Sequence, residues 1–310
     1  MHATSDELSY KLRPVLVQLE KTLGYTGAKV GSDYGAFLEA MYLQADGMRI
    51  PYPEGSHAWH SLQAGANYAY FCYRALPLEV RIFGGIYTWL AILVDDLSNR
   101  DPEEWHQFVP RFFAGARQHG AVAQAWDGWL RTAYQHYPPT AANFIVTASL
   151  NFTNACALEG SAVAKMTRTA GGQNWAYYIR DKTGVAEAYA WMTFPRSICP
   201  EPSLYVEAIE DMNRYLCYVN DVYSFYKEEL AAETDTYMHL RASYEGVGAF
   251  EMLKQVVKEV EDIDRRIALV LEGKTLYAQL WKDQALGYLS FHKTSTRYKL
   301  CDLGLEEKLP

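Results

Sequence analysis

Residues 220–228 read NDVYSFYKE and set an amide, a hydroxyl and a carboxylate at Asn220, Ser224 and Glu228, with Lys227 beside the last. On a helix of 3.6 residues per turn this spacing keeps the three on one stripe about 80° wide. Oxygen donors of graded charge suit a hard divalent cation, and Mg2+ characteristically divides its coordination between a few protein oxygens and the phosphates of a substrate. Lys227 can reach the same phosphates as a point charge. Taken alone, the stretch also describes a solvated polar helix face.

A second acidic group lies far away in the chain. Residues 82–94, IFGGIYTWLAILV, are apolar almost without interruption and run into Asp95 and Asp96, with Asn99 following. Carboxylates in the last turn of a helix are opposed by its macrodipole by roughly 0.3–1 kcal/mol each, and adjacent ones also repel each other. A bound cation removes both penalties. The alternative is that the pair caps the next segment, because DLSNRDPEE reads as a turn followed by a helix start at Pro102.

Together, Asp95-Asp-x-x-Asn99 and Asn220-Asp-x-x-Ser224-x-x-x-Glu228 resemble the aspartate-rich and NSE motifs of class I terpene synthases. The wording NDVYSFYKEE and the later GYLSFHKTSTRYKL are most similar to the fungal trichodiene synthase branch. Three residue types and two spacings coincide in the NSE likeness. The aspartate-rich likeness departs at its third position, where an acid is usual and Asn99 stands, with Asp101 two residues too far. The resemblance runs from about residue 60 to residue 302, and the first fifty residues carry no recognised motif. It implies a metal set of Asp95, Asn220, Ser224 and Glu228 around Mg2+, three ions in the family, and leaves open whether Asp96 or Asn99 also touches metal.

Two further segments resemble diphosphate-handling parts of the same family. Arg297-Tyr298, placed after GYLSFH, is similar to the RY pair. A guanidinium offers phosphate a planar fork and a phenol adds a neutral donor, although an Arg at a helix end beside a packed Tyr is also common. YYIRDKTGVAEAY resembles the family's break in the helix that crosses the cavity, which implies Arg180 as diphosphate sensor, Thr183 as linker and Gly184 as the effector whose carbonyl faces the leaving group. A glycine inside a helical run costs about 1 kcal/mol against alanine, so a break there needs a reason; an ordinary loop is the other reading. The resemblance thus gives Asp95, Arg180, Gly184, Arg297 and Tyr298 catalytic parts, and Arg180, Lys227, Arg297 and Tyr298 the diphosphate.

The elements that must position these residues read as helices. Apolar stripes at helical period occupy 5–23, 33–45, 58–76, 78–98, 103–118, 120–135, 140–166, 173–194, 202–230, 245–271 and 275–302, with no convincing alternating strand. Pro51, Pro53, Pro77, Pro102, Pro110, Pro138, Pro139 and Pro195–Pro202 fall in the breaks, and the proline-free stretch after Pro202 suits three long helices. No repeat or linker divides the 310 residues, and 49% hydrophobic content supports a large core. The expected fold is all-α, one domain spanning 1–310, a helical bundle around a central apolar cavity.

Composition narrows the function classes. A net charge of -8 argues against nucleic acid or an anionic membrane surface as partner. No uninterrupted apolar run reaches membrane-spanning length and MHATSDELSYKL lacks a signal-peptide pattern, so the cytosol is the expected compartment. Five scattered cysteines form no CxxC, His57 and His60 lack a third zinc ligand, and the glycine-containing GYTGAK and GVGAFE fail nucleotide-loop spacings.

The expectation is a sesquiterpene cyclase acting on farnesyl diphosphate. Ionisation gives an allylic cation that water would quench, so the pocket below the diphosphate must be apolar and aromatic; cation–π contacts supply roughly 0.5–2 kcal/mol each. Tyr87, Thr88, Phe152, Leu216 and Phe291 are the candidate wall, each also readable as plain core. No general base stands out. A humulene-type macrocycle and a bisabolyl-derived polycycle are both compatible products, and pairing into a homodimer is left open by the resemblance. The alternatives are a prenyl diphosphate synthase of the same fold, disfavoured because NDVYS stands where a second aspartate-rich motif would be, and a non-catalytic helical protein binding an apolar ligand.

Overall fold

The computed structural model describes residues 5–309. Among them there are α-helices and short 3-10 turns and no strand: α1 (Ser5–Thr22), α2 (Tyr34–Asp46), α3 (His57–Cys72), α4 (Leu78–Ser98), α5 (Pro102–His106), α6 (Phe108–Ala114), α7 (Ala121–Arg131), α8 (Ala133–His136), α9 (Pro139–Glu159), α10 (Trp175–Thr183), α11 (Ala186–Met192), α12 (Ile209–Leu230), α13 (Tyr237–Glu245), α14 (Ala249–Val270) and α15 (Thr275–Thr294). The fold is the expected all-α bundle. None of these helices is long and apolar enough to cross a membrane.

Where the helices depart from the apolar stripes, local chemistry explains it. The proline-free C-terminal part holds four helices rather than three, because α13, stopped by Gly246 at φ 69°, fits into a polar stretch that shows no apolar stripe. Pro110 sits in the first turn of α6 instead of a break; the first backbone N–H groups of a helix have no intrahelical acceptor, so a proline there removes nothing. Pro14 lies inside α1, an exception to prolines standing between helices. That helix is anchored regardless by Leu8, Leu12, Leu16 and Leu19, buried at a three-to-four-residue spacing.

One continuous core runs from Leu8 to Leu305. The helices that frame its centre approach at glycines. A Cβ on Gly65 of α3 would lie 2.4 Å from the Gly85 carbonyl oxygen of α4, and one on Gly287 of α15 would lie 2.2 Å from the Phe71 carbonyl oxygen of α3. These contacts draw α3, α4 and α15 together at one end of a cavity that α9, α11 and α12 complete.

Candidate active site

A cavity of about 280 Å3 collects residues from four distant parts of the chain. Asp95 enters from α4, Arg180 and Gly184 from the end of α10, Asn220, Ser224, Lys227 and Glu228 from α12, and Arg297 and Tyr298 from the turn after α15. Thr88, Phe152, Leu216 and Phe291 also line it.

Tyr87 does not, which corrects its place in the expected wall. One residue on a helix is a rotation of about 100°, so Tyr87 and Thr88 cannot share a face. The Tyr87 ring is fully buried behind the wall, 4.9 Å from Trp126 and 5.5 Å from Tyr189, and its hydroxyl shares a 2.7 Å hydrogen bond with Ser149. Beside Phe152 and Tyr298, the aromatic surface that does face the cavity is Tyr68, Tyr189, Tyr288 and Phe291. Ring centroids lie 4.6, 5.7 and 5.5 Å from Tyr68 to the other three. The abundance of aromatics concealed Tyr68 and Tyr189.

The two neighbouring aspartates divide. Asp95 faces the cavity, its Oδ1 3.5 Å from the Cys156 thiol, and burial, then the charge of Asp96, push its carboxyl above the ordinary range. Asp96 turns to His57 Nε2. Asn99 is the C-cap of α4, exposed, and its amide donates to the Asp95 carbonyl at 3.1 Å. The cap of the next helix is Asp101, which accepts from the Glu104 N–H at 3.3 Å, so the Asp95-Asp96 pair has no capping duty.

On α12 the stripe is continuous. Ser224 donates to the Asn220 carbonyl at 2.7 Å, which leaves its oxygen lone pairs free, and Lys227 Nζ stands 3.2 Å from Glu228 Oε1. The break opposite is also local in origin. A side chain at Gly184 would meet Arg180 Nη1 at 2.4 Å and Cys217 Sγ at 3.0 Å, so only glycine lets Arg180 fold back there. Val185 then takes φ 50°, ψ 14°, a left-handed conformation that costs a β-branched residue roughly 1–3 kcal/mol.

Arg180 is held by three acceptors. Its Nε donates to Asp221 Oδ1 at 2.6 Å, and Nη2 donates to the Cys217 carbonyl and to Asn220 Oδ1 at 3.1 Å each. Burial works against the charged guanidinium, and the Asp221 carboxylate together with Cys217 and Tyr288 outweighs it, so Arg180 stays protonated. Asp221 itself is pushed up by burial, with Arg180 opposing and Glu228 reinforcing. Sequence reasoning passed over Asp221 and also Glu159, at the end of α9, whose carboxyl burial and then Asp95 raise to about 7. Both border a connected polar recess with Asp95, Asn220 and Glu228. Arg297 is exposed at the rim, while Tyr298 is buried with its hydroxyl 3.3 Å from Asn220 Nδ2.

An all-α bundle with oxygen donors from two helices facing each other over an aromatic cavity, and basic side chains at the rim, defines a terpene synthase of the class I helical type. The chain belongs to the trichodiene synthase (TRI5) family, whose sequence model matches residues 56–308. It is similar to longiborneol synthase CLM1 of Gibberella zeae, 38% identical over 83% of this chain and 77% of that one. Terpene synthase BipA of Cochliobolus sativus is 34% identical over 96% of this chain and 94% of its own. The (E)-beta farnesene synthase of Metarhizium brunneum is 29% identical over 79% and 76%. A linalool/nerolidol synthase from Streptomyces clavuligerus shares the fold, with a TM-score of 0.67 over 86% of this chain and 99% of that one at 11% identity.

Proposed function

We propose that the chain is a sesquiterpene cyclase that ionises farnesyl diphosphate with Mg2+ and closes the resulting cation to a macrocycle or a bisabolyl-derived polycycle, releasing diphosphate. The observation that carries this reading is the meeting of Asp95 with the Asn220, Ser224 and Glu228 stripe at one cavity. That donor set fits Mg2+. All four offer oxygen, the donor a hard cation takes, and Mg2+ completes its shell with phosphate oxygens. Asp95 on one side and Asn220, Ser224 and Glu228 on the other would hold the ions, three by family resemblance. When bound, Mg2+ supplies neutralisation of the charge on the departing diphosphate.

The protein's own groups do the rest. Arg180, Lys227 and Arg297 bind diphosphate oxygens, and Tyr298 adds a neutral donor. Gly184 and Val185 break the helix, and by family resemblance the Gly184 carbonyl faces the leaving group. Tyr68, Tyr189, Tyr288, Phe152 and Phe291 exclude water and turn ring surfaces to the migrating charge. A relative named for farnesene supports the farnesyl chain.

Purified protein with Mg2+ and geranyl, farnesyl or geranylgeranyl diphosphate, followed by volatile analysis, tests the reading. Cyclic products from farnesyl diphosphate are expected. Turnover only of the longer substrate, or only chain elongation when isopentenyl diphosphate is added, overturns it. Asn220→Ala and Glu228→Ala are expected to abolish turnover with helix content intact.

A further inference from the structure

We infer that His292 is a positioning residue for the metal site: its ring fixes the Asn220 carboxamide so that Oδ1, and not the amide nitrogen, faces the cavity. The inference rests on the proposed role of Asn220 as a metal ligand and adds to it the group that aims the ligand.

His292 sits near the end of α15 with no exposed surface. Its neighbours are aromatic rings, with centroids 4.4 Å away at Tyr288, 4.5 Å at Tyr298 and 5.1 Å at Tyr223. Nδ1 lies 2.7 Å from the Tyr288 carbonyl oxygen. A carbonyl can only accept, so the ring hydrogen is on Nδ1. On the far side Arg180 can only donate, so Asn220 turns Oδ1 to the guanidinium and Nδ2 to the ring, which leaves Nε2 as the accepting lone pair.

That lone pair faces Asn220 Nδ2 at 3.3 Å, so the amide N–H donates to the ring. The same Nδ2 reaches the Tyr298 hydroxyl at 3.3 Å, while on the other edge Oδ1 accepts from Arg180 Nη2 at 3.1 Å. Rotating the amide by half a turn would set its oxygen against the Nε2 lone pair and its NH2 against the guanidinium N–H groups. Both contacts would be repulsive. The orientation is therefore fixed twice, and the two fixings differ in kind. Arg180 belongs to the proposed anion site and changes acceptors when diphosphate arrives; His292 has no such second duty. It is the contact that keeps Oδ1 aimed when the guanidinium leaves. An amide free to flip would present a donor to a cation half the time.

The first test needs neither metal nor substrate. The full chain labelled with 15N-histidine, in chelator-treated buffer, is expected to show His292 as the neutral Nδ1–H tautomer, assigned through contacts to the Tyr288 and Tyr298 rings. A neutral Nε2–H tautomer or an imidazolium overturns the inference. The second test uses His292→Phe, which keeps a ring and removes the acceptor, and His292→Gln, whose side-chain oxygen can accept again. Loss of such a supporting contact typically weakens metal affinity about 10–100-fold. In the Phe variant, calorimetry of Mg2+ with inorganic diphosphate, and the Mg2+ needed for half-maximal turnover, are expected to shift about 10-fold, with partial recovery in the Gln variant and little change in unfolding temperature. A folded Phe variant with unaltered Mg2+ dependence overturns the role of His292 alone. Absence of Mg2+-dependent diphosphate binding by the unaltered protein overturns the proposed function beneath it, whatever the tautomer.

Discussion

Arg180 and Asp221 form a buried ion pair at the edge of the cavity, Nε to Oδ1 at 2.6 Å, and the second Asp221 oxygen is buried without a hydrogen-bond partner. The guanidinium proposed for diphosphate is thus already claimed by a carboxylate with which the anion must compete. Asp221→Asn keeps the shape and removes the charge. At pH 8 the variant is expected to lose roughly 1.5–3 kcal/mol in denaturant unfolding, the range for hydrogen bonds to charged groups, and to bind inorganic diphosphate with Mg2+ more tightly. Unchanged stability, or weaker diphosphate binding, contradicts this competition.

Adjacent aspartates should differ sharply in function. Asp95 lines the cavity, whereas Asp96 is turned to His57 with a third of its side chain exposed, 33%. Asp95→Asn is expected to lower kcat/KM by about 100-fold or more, as loss of one positioned electrostatic contact does. Asp96→Asn should stay within about 10-fold, since it disturbs only a partly solvated pair. Steady-state kinetics at saturating Mg2+ decide the matter, and similar losses in both would place the metal contact elsewhere on the α4 terminus.

Glu159 gives the pH dependence. Its carboxyl is raised from 4.5 to about 7, by burial first and by Asp95 second. A carboxyl that titrates higher in the folded chain binds more protons there than when unfolded. Its contribution is therefore full below about pH 4.5 and lost as pH rises through 7. In chelator-containing buffer Glu159→Gln is expected to be more stable than the parent above pH 7, on the order of 1–3 kcal/mol, and no more stable near pH 4.5. Urea unfolding of both proteins across that window is the measurement; a gain that does not vary with pH would assign the effect to packing.

The bundle and the polar side of the cavity were legible because each rests on a periodicity. Oxygen donors at Asn220, Ser224 and Glu228 share a stripe on any helix, and the apolar run before Asp95 reads as a buried helix, although its two acids also read as a cap of the next segment, a place the structure gives to Asp101. What was not legible is set by partners far apart in the chain. Asp221 gained its meaning from Arg180, 41 positions away, and Glu159 from its burial beside Asp95. Tyr87 was misplaced because an aromatic in an apolar helix reads the same whether it faces a cavity or the layer behind it. Helix α13 was missed since nine residues buried mainly through Tyr237, Met238, Leu240 and Ala242 make too short a stripe. Packing against α10 and α14, not propensity, holds it.

Lys293 gives the segment from Glu20 to Ala28 a role. Its side chain is 8% exposed and its Nζ stands 2.8 Å from Glu20 Oε2 on α1 and 3.3 Å from Glu307 Oε1 near the C-terminus, above the Tyr25 ring at 5.1 Å. Glu20 also accepts from Tyr223 of α12 at 3.1 Å, and Glu307 from the Ala28 N–H at 2.6 Å. One ammonium, four residues before Arg297, therefore ties α1, the segment after it and the C-terminal tail to the base of the turn that carries Arg297 and Tyr298. Removing one member of a buried ionic cluster leaves the others uncompensated and typically costs about 3–5 kcal/mol. Lys293→Met, similar in length and without charge, is expected to lose that much in denaturant unfolding and to weaken diphosphate binding through a loosened turn. Adding Glu20→Gln to Lys293→Met should recover part of the stability, because one of the two facing carboxylates is then gone. If Lys293→Met unfolds like the parent, α1 is held by its leucine stripe alone and the ammonium has no part in setting the turn; a double variant no better than a destabilised single one would show that the loss does not come from an uncompensated Glu20.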